Sequence, residues 1–140
     1  MADGITGVVH LSPEEGDKVR GAAAGLGTDN NLDDITRPEL MQARRSGDIA
    51  LVHSWELVTA VDGPGTRMTM FMSGCPLRCQ YCHNPDTMEM KVGTLERIDD
   101  VVKRIKRYKP VFNASGGGLT LSGGEALFQI AFTPVSYTHL

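Results

Sequence analysis

Outside the stretch from Cys75 to Cys82 the sequence has no cysteine, and only three lie within it. So small, odd and clustered a set argues against a disulfide framework and fits a metal or redox site in a reducing compartment. Long apolar runs are also missing. The longest, near Met70-Phe71-Met72, falls far short of the roughly 18 residues a membrane span needs. No basic-then-apolar leader opens the chain, so a cytoplasmic protein away from any membrane is expected. An excess of either charge is missing too: 14 Lys and Arg against 17 Asp and Glu leave a formal −3, too small and too evenly mixed to mark a nucleic-acid surface. What remains, in 140 residues with 41% hydrophobic and 22% charged content, is material for about one modest globular domain.

Residues 1 to 48 have few large apolar side chains and are rich in Gly, Ala, Asp and Asn, which predicts a loosely ordered extension. Two short helices are expected inside it, because Ser12-Pro13-Glu14-Glu15 and Thr36-Arg37-Pro38-Glu39 each place a capping hydroxyl three residues before a Glu. From Leu51 the pattern changes. Leu51-Val52 and Leu57-Val58 flank a polar stretch, Asp62-Gly63-Pro64-Gly65 predicts a turn, and Arg67 to Met72 predicts a strand. Thr94 is placed to cap a helix carrying Leu95, Ile98, Val101, Val102, Ile105 and Tyr108 at helical spacing and ending before Pro110. Lys103, Arg104, Lys106, Arg107 and Lys109 crowd its C-terminal half, where cations suit the helix dipole and a solvated face. A second strand is expected at Leu119-Thr120-Leu121, between Gly116-Gly117-Gly118 and Gly123-Gly124. The order strand, cysteine loop, helix, strand, glycine-rich loop predicts an α/β fold on a parallel sheet, with its chemistry at the C-terminal strand ends.

Clustered thiolates usually hold either structural zinc or an iron–sulfur cluster, and both normally take four protein ligands. Zinc would need His83 as the fourth, but adjacent Cys82 and His83 rarely both reach one tetrahedral ion, and no second Cys or His pair follows at finger-like spacing. A [4Fe–4S] cube on Cys75, Cys79 and Cys82 would leave one iron open to a small molecule. Three buried thiols acting only as small hydrophobes fit less well, since Pro76, Arg78, Gln80 and His83 interrupt any core pattern. The glycines near residue 120 lack the Lys-Ser/Thr of a phosphate-binding loop, and a flexible linker does not explain the apolar Leu119-Thr120-Leu121 between them.

Cys-x3-Cys-x2-Cys directly after a strand, with Tyr81 ahead of the last cysteine, resembles the motif of the radical S-adenosylmethionine enzymes. The likeness extends to "TAVDGPGTRMTMFMSGCPLRCQYCHNPDT" and "FNASGGGLTLSGGEAL", which resemble the activases of glycyl radical enzymes from about Val52 to Thr133. The resemblance implies that residues 49–133 form the first strand–helix units of a partial (β/α) TIM-like radical S-adenosylmethionine barrel. It implies a [4Fe–4S] cluster on Cys75, Cys79 and Cys82, with S-adenosylmethionine contacts at Tyr81, His83, Gly123, Gly124 and Glu125. Asp62 and Arg67 are implied as contacts for the partner's glycyl loop, although a tight turn with a strand-leading Arg is the ordinary reading of that segment. The implied reaction is one-electron cleavage of S-adenosylmethionine to a 5′-deoxyadenosyl radical, which removes a hydrogen from a glycine of pyruvate formate-lyase. No general acid or base residue is required, and the electron donor would be a small flavoprotein such as flavodoxin.

No cysteine follows Cys82, so the ferredoxin-like domain that some related activases carry inserted after this motif is not expected here. An activase of anaerobic ribonucleotide reductase is the in-class alternative, and a zinc-binding interaction module the alternative of another class. The resemblance further implies a barrel continuing well beyond Glu125. Val135 to Leu140 can be encoded by the transposon-end adapter used in sequencing libraries, so residues 134–140 are expected to be a non-native tail. The chain is accordingly expected to be a truncated N-terminal fragment, inactive by itself.

Overall fold

The computed structural model describes residues 35–138, so the helix expected at Ser12 to Glu15, with the rest of the first 34 residues, and the last two residues of the chain lie outside the described residues. The described chain opens with helix α1 (Arg37–Ser46), nucleated by the expected capping box. Thr36 donates both its backbone N–H (2.9 Å) and its hydroxyl (2.7 Å) to Glu39 Oε2. Those two bonds hold the Glu39 carboxyl below its ordinary range. The helix stops at Gly47, whose left-handed φ of 86° suits a residue without Cβ.

Four strands follow in one sheet of order β3-β1-β2-β4: β1 (Ile49–Thr59), β2 (Arg67–Met72), β3 (Thr94–Arg97) and β4 (Gly118–Gly123). β2 and β4 run parallel from Arg67 opposite Gly118 to Met72 opposite Gly123. β1 is antiparallel to both of its neighbours. The sheet is therefore mixed, and the expected parallel arrangement holds for β2 and β4 only. Connection length explains the difference: the few residues from Ala60 to Thr66 suffice only to reverse the chain, whereas the long segment between β2 and β4 includes a crossover helix. Within β1 the register shifts between Leu57 and Thr59, and Val58 adopts a left-handed φ of 67°.

The crossover corrects a second expectation. Thr94 does not cap a helix: Thr94–Arg97 pair with Ile49–Val52 as β3, which turns Leu95 onto the face covered by α1. Helix α2 begins at Ile98 and continues through Pro110 to Ser115. A mid-helix proline costs about 3 kcal/mol through its missing N–H and ring clash. Pro110 itself is exposed, and Phe112, two residues on, is buried in the core.

The sheet separates two apolar layers. On one face Leu40 of α1 packs with Ile49, Leu51 and Leu95. On the other, Val52, Met68, Met70, Met72 and Leu119 meet Ile98, Val101, Ile105 and Phe112 of α2. Phe132 closes this layer from the last helix, α3 (Phe132–Thr138), in which Ser136 is buried and Val135 packs against the core. Among the described residues no helix is long and apolar enough to cross a membrane.

Candidate metal centre

The cysteine loop leaves the C-terminal end of β2, and its root is held from three sides. Ser73 donates its N–H to Leu51 O (3.1 Å) and its hydroxyl to Val92 O. Gly74 N–H bonds Thr87 O at 2.7 Å and Cys75 N–H bonds Met88 O at 3.0 Å, so the returning 3₁₀ turn Pro85–Met88 braces the entry to the loop. That turn is itself tied to β1 by His53 Nε2 and Asp86 Oδ2, 3.2 Å apart. From the third side the segment after β4 closes in: Gly124 N–H donates to Met72 O and Glu125 N–H to Gly74 O, each at 2.9 Å.

Glycine is required at this junction. Gly74 is left-handed (φ 96°), and a Cβ there would lie against the side chains of Met90 and Phe128. At Gly123 (φ 94°) a Cβ would come within 2.7 Å of Met72 N, and at Gly124 it would enter the carbonyl of Gly74. The two glycines thus let the loops leaving β2 and β4 touch backbone to backbone. Glu125 turns its own side chain onto the next turn, accepting from Leu127 N–H at 2.9 Å.

All three cysteines are free thiols, with Cys75 and Cys82 half-buried and Cys79 exposed. Arg78 closes the loop on itself, its guanidinium donating to Cys75 O (2.8 Å) and Leu77 O (2.7 Å). A Cys82 N–H bond to Cys79 O at 3.2 Å places those two cysteines on one turn. Tyr81 is 82% exposed and His83 is exposed as well. Among the described residues no three His, Cys, Asp or Glu side chains are grouped as a single metal ion needs. One tetrahedral zinc is therefore not pre-formed here. A four-iron cluster spreads its thiolates over separate irons, and three unpaired thiols on a braced loop with no carboxylate between Ser73 and Pro85 suit it.

A family model described as a 4Fe–4S single cluster domain matches residues 61–135. The chain belongs to the 4Fe–4S single-cluster family. Relatives with longer chains are named pyruvate formate-lyase-activating enzyme. The protein of Listeria monocytogenes is 53% identical over 81 residues, covering 58% of this chain and 33% of that relative. That of Clostridium pasteurianum is 51% identical over 81 residues, 58% of this chain and 34% of the relative. The Staphylococcus aureus protein is 49% identical over 90 residues, 64% and 36% respectively. The chain spans about a third of the length of these relatives.

For this 4Fe–4S single-cluster member, the structure brings the cysteine loop and Gly123-Gly124-Glu125 together, and leaves Asp62 and Arg67 elsewhere. Arg67 opens β2 and the cysteines leave its other end, roughly 17 Å of strand away at ~3.3 Å per residue. There Arg67 Nε donates to Thr120 Oγ1 (2.6 Å), and its terminal nitrogens donate to Leu119 O (2.6 Å) and Pro64 O (3.1 Å). Asp62 accepts from Thr69 Oγ1 at 3.0 Å through Oδ2. Sequence reasoning missed Gln129, whose amide bonds Leu51 N, Leu51 O and Ser73 O behind the cysteine loop. A lone glutamine carries no spacing signal by which to find it.

Proposed function

We propose that the whole protein of which this chain forms part activates a glycyl radical enzyme, pyruvate formate-lyase, and that residues 73–125 hold the cofactors for it. The observation that carries this reading is the backbone junction between the loop bearing three free thiols and the Gly123-Gly124-Glu125 segment, at the C-terminal ends of the parallel pair β2 and β4. α/β enzymes keep their ligands at such strand ends. The family membership and the names of the relatives support it.

In this reading Cys75, Cys79 and Cys82 would hold the [4Fe–4S] cluster, with S-adenosylmethionine bound beside it. When bound, cluster and S-adenosylmethionine would together supply the one-electron chemistry for removing a hydrogen atom from glycine. The chain itself binds and orients. Arg78 shapes the ligand loop through Cys75 O and Leu77 O, while Gly123, Gly124 and Glu125, with Tyr81 and His83, border the methionine end. Asp62 and Arg67 form a rigid turn at the far end of the strands, proposed to hold part of the partner's glycyl loop. Among the described residues Asp62 Oδ1 has no partner and is free for such a contact. A flavodoxin-type protein is the proposed electron donor, in a cytoplasm that keeps the thiols reduced.

Anaerobic reconstitution tests the reading. The chain is expected to take up about four irons and four sulfides, and addition of S-adenosylmethionine is expected to change the reduced cluster's paramagnetic resonance. A colourless protein binding one zinc, or a spectrum unmoved by saturating S-adenosylmethionine, would overturn it.

A further inference from the structure

Gln129 ends the 3₁₀ turn Ala126–Gln129, yet its side chain belongs to the sheet. Oε1 accepts the Leu51 N–H at 2.8 Å, and Nε2 donates to Leu51 O at 2.7 Å and to Ser73 O at 3.0 Å. One planar amide thus satisfies both backbone groups of a residue in β1, as a neighbouring strand would. It does so where β2 has ended, since the ladder between β1 and β2 reaches only Val52 opposite Met72. Leu51 O also accepts the Ser73 N–H at 3.1 Å. Leu51, Ser73 and Gln129 therefore form a closed knot of four hydrogen bonds at the exit of β2.

The position of the knot matters for the site. Ser73 lies two residues before Cys75, and Gln129 lies four residues after Glu125. Glu125 in turn donates its N–H to Gly74 O at 2.9 Å. The segment after β4 consequently grips the root of the cysteine loop twice, once by backbone at Gly74 and once by side chain at Ser73. Two grips on adjacent residues fix direction as well as place, and the residue whose direction they set is Cys75.

We propose that Gln129 is a positioning residue that sets Cys75 as a cluster ligand and keeps the cysteine loop in register with Gly123-Gly124-Glu125. Its importance for activity rests on the cluster reading above, but its effect on Cys75 does not. Neither an apolar side chain nor a carboxylate can replace it: both lose the two bonds donated to Leu51 O and Ser73 O, and the carboxylate also sets negative charge against those carbonyls.

The test starts with the reduced, cluster-free chain. Each cysteine is alkylated with a limiting thiol reagent, and modification is mapped by peptide mass spectrometry, with exposed Cys79 as the reference within the same molecule. In Gln129→Met the Cys75-to-Cys79 rate ratio is expected to rise several-fold while Cys82-to-Cys79 stays as in the wild type. Gln129→Glu, which keeps the acceptor for Leu51 N–H, is expected to raise the same ratio and serves if the methionine variant does not fold. Unchanged ratios in a folded variant, or equal rises at Cys75 and Cys82, would overturn the proposal. A second arm reconstitutes the chain and adds S-adenosylmethionine. There Gln129→Met is expected to bind cluster but give a weaker resonance response than the wild type, and an identical response would overturn the coupling of the two segments. Failure of the wild type itself to bind iron would remove the cluster reading, and the alkylation ratios would still decide the role of Gln129.

Discussion

The backbone N–H of Glu125 donates to the carbonyl of Gly74 across 2.9 Å, so the residue before the first cysteine and the residue after the paired glycines share one bond. A side chain at Gly124 would push into that same carbonyl. Gly124→Val is therefore expected to destabilise the fold by about 1–3 kcal/mol, the usual cost of overpacking. Urea denaturation of the cluster-free chain measures it. Wild-type stability in this variant would show that the two loops separate without cost.

Replacing Cys75, Cys79 or Cys82 singly by Ala is expected to abolish the [4Fe–4S] cluster while leaving the chain folded. Cys79 is exposed, so its removal is expected to change stability by no more than about 0.5 kcal/mol. Iron and acid-labile sulfide assays, with denaturation as the control, check the set. A full complement of iron in any of the three variants would remove that cysteine from the ligands.

Arg67 and Asp62 predict different phenotypes although they share a turn. Arg67→Ala breaks three hydrogen bonds that lock the turn to β4, and a loss of about 2 kcal/mol or more is expected from bonds to a charged group. Arg67→Lys is expected to be only a partial remedy, since an ammonium cannot reproduce the planar fork. Asp62→Ala loses one bond, from Thr69, and in the full-length protein is expected to lower glycyl radical yield on pyruvate formate-lyase without loss of iron. Parallel loss of iron and radical would assign Asp62 to the turn alone.

Glu96 sets a pH dependence. It lies under α2, where Trp55 Nε1 and Arg104 each approach Oε1 at 3.4 Å and Oε2 has no partner among the described residues. Burial raises its carboxyl above the ordinary value, and the opposing pull of Arg104 does not cancel this. A raised folded-state pKa favours the protonated form in the fold. Its contribution to stability is thus complete below the unfolded carboxyl's pKa and is lost as pH rises through the folded value. Glu96→Gln mimics the protonated form, so its stability relative to the wild type is expected to climb with pH across that window. Urea midpoints at a series of pH values test the sign, and a difference falling with pH would contradict it.

The strands β2 and β4 and the cysteine loop were legible because each is bounded by its own punctuation: the Asp62-Gly63-Pro64-Gly65 turn, the paired glycines, and the thiols. β3 was not, since Leu95 stands three residues before Ile98 and extends the helical period by accident. Only pairing with Ile49–Val52 makes Thr94–Arg97 a strand, and periodicity does not see a partner. Pro110 misled for a related reason, because burial of Phe112 two residues later outweighs a local preference to stop. The cysteines and glycines of the candidate site were readable as residues with a chemistry. The devices that aim them, Gln129 on Leu51 and Ser73 or Gly124 against Gly74, depend on contacts between elements and have no signature in one stretch of chain.

The bulge at Val58 bears on behaviour at high concentration. β3 covers β1 only from Ile49 to Val52, so among the described residues the outer side of β1 beyond that point has no paired strand, an edge of the kind that recruits other chains. Two register shifts in the pairing of β1 with β2, and a left-handed valine, make the backbone of β1 irregular along this length. A β-branched residue at positive φ costs on the order of 1–3 kcal/mol. In return, a second molecule laid along this edge would find its hydrogen-bonding groups out of step with those of β1, which discourages edge-to-edge association of the sheet.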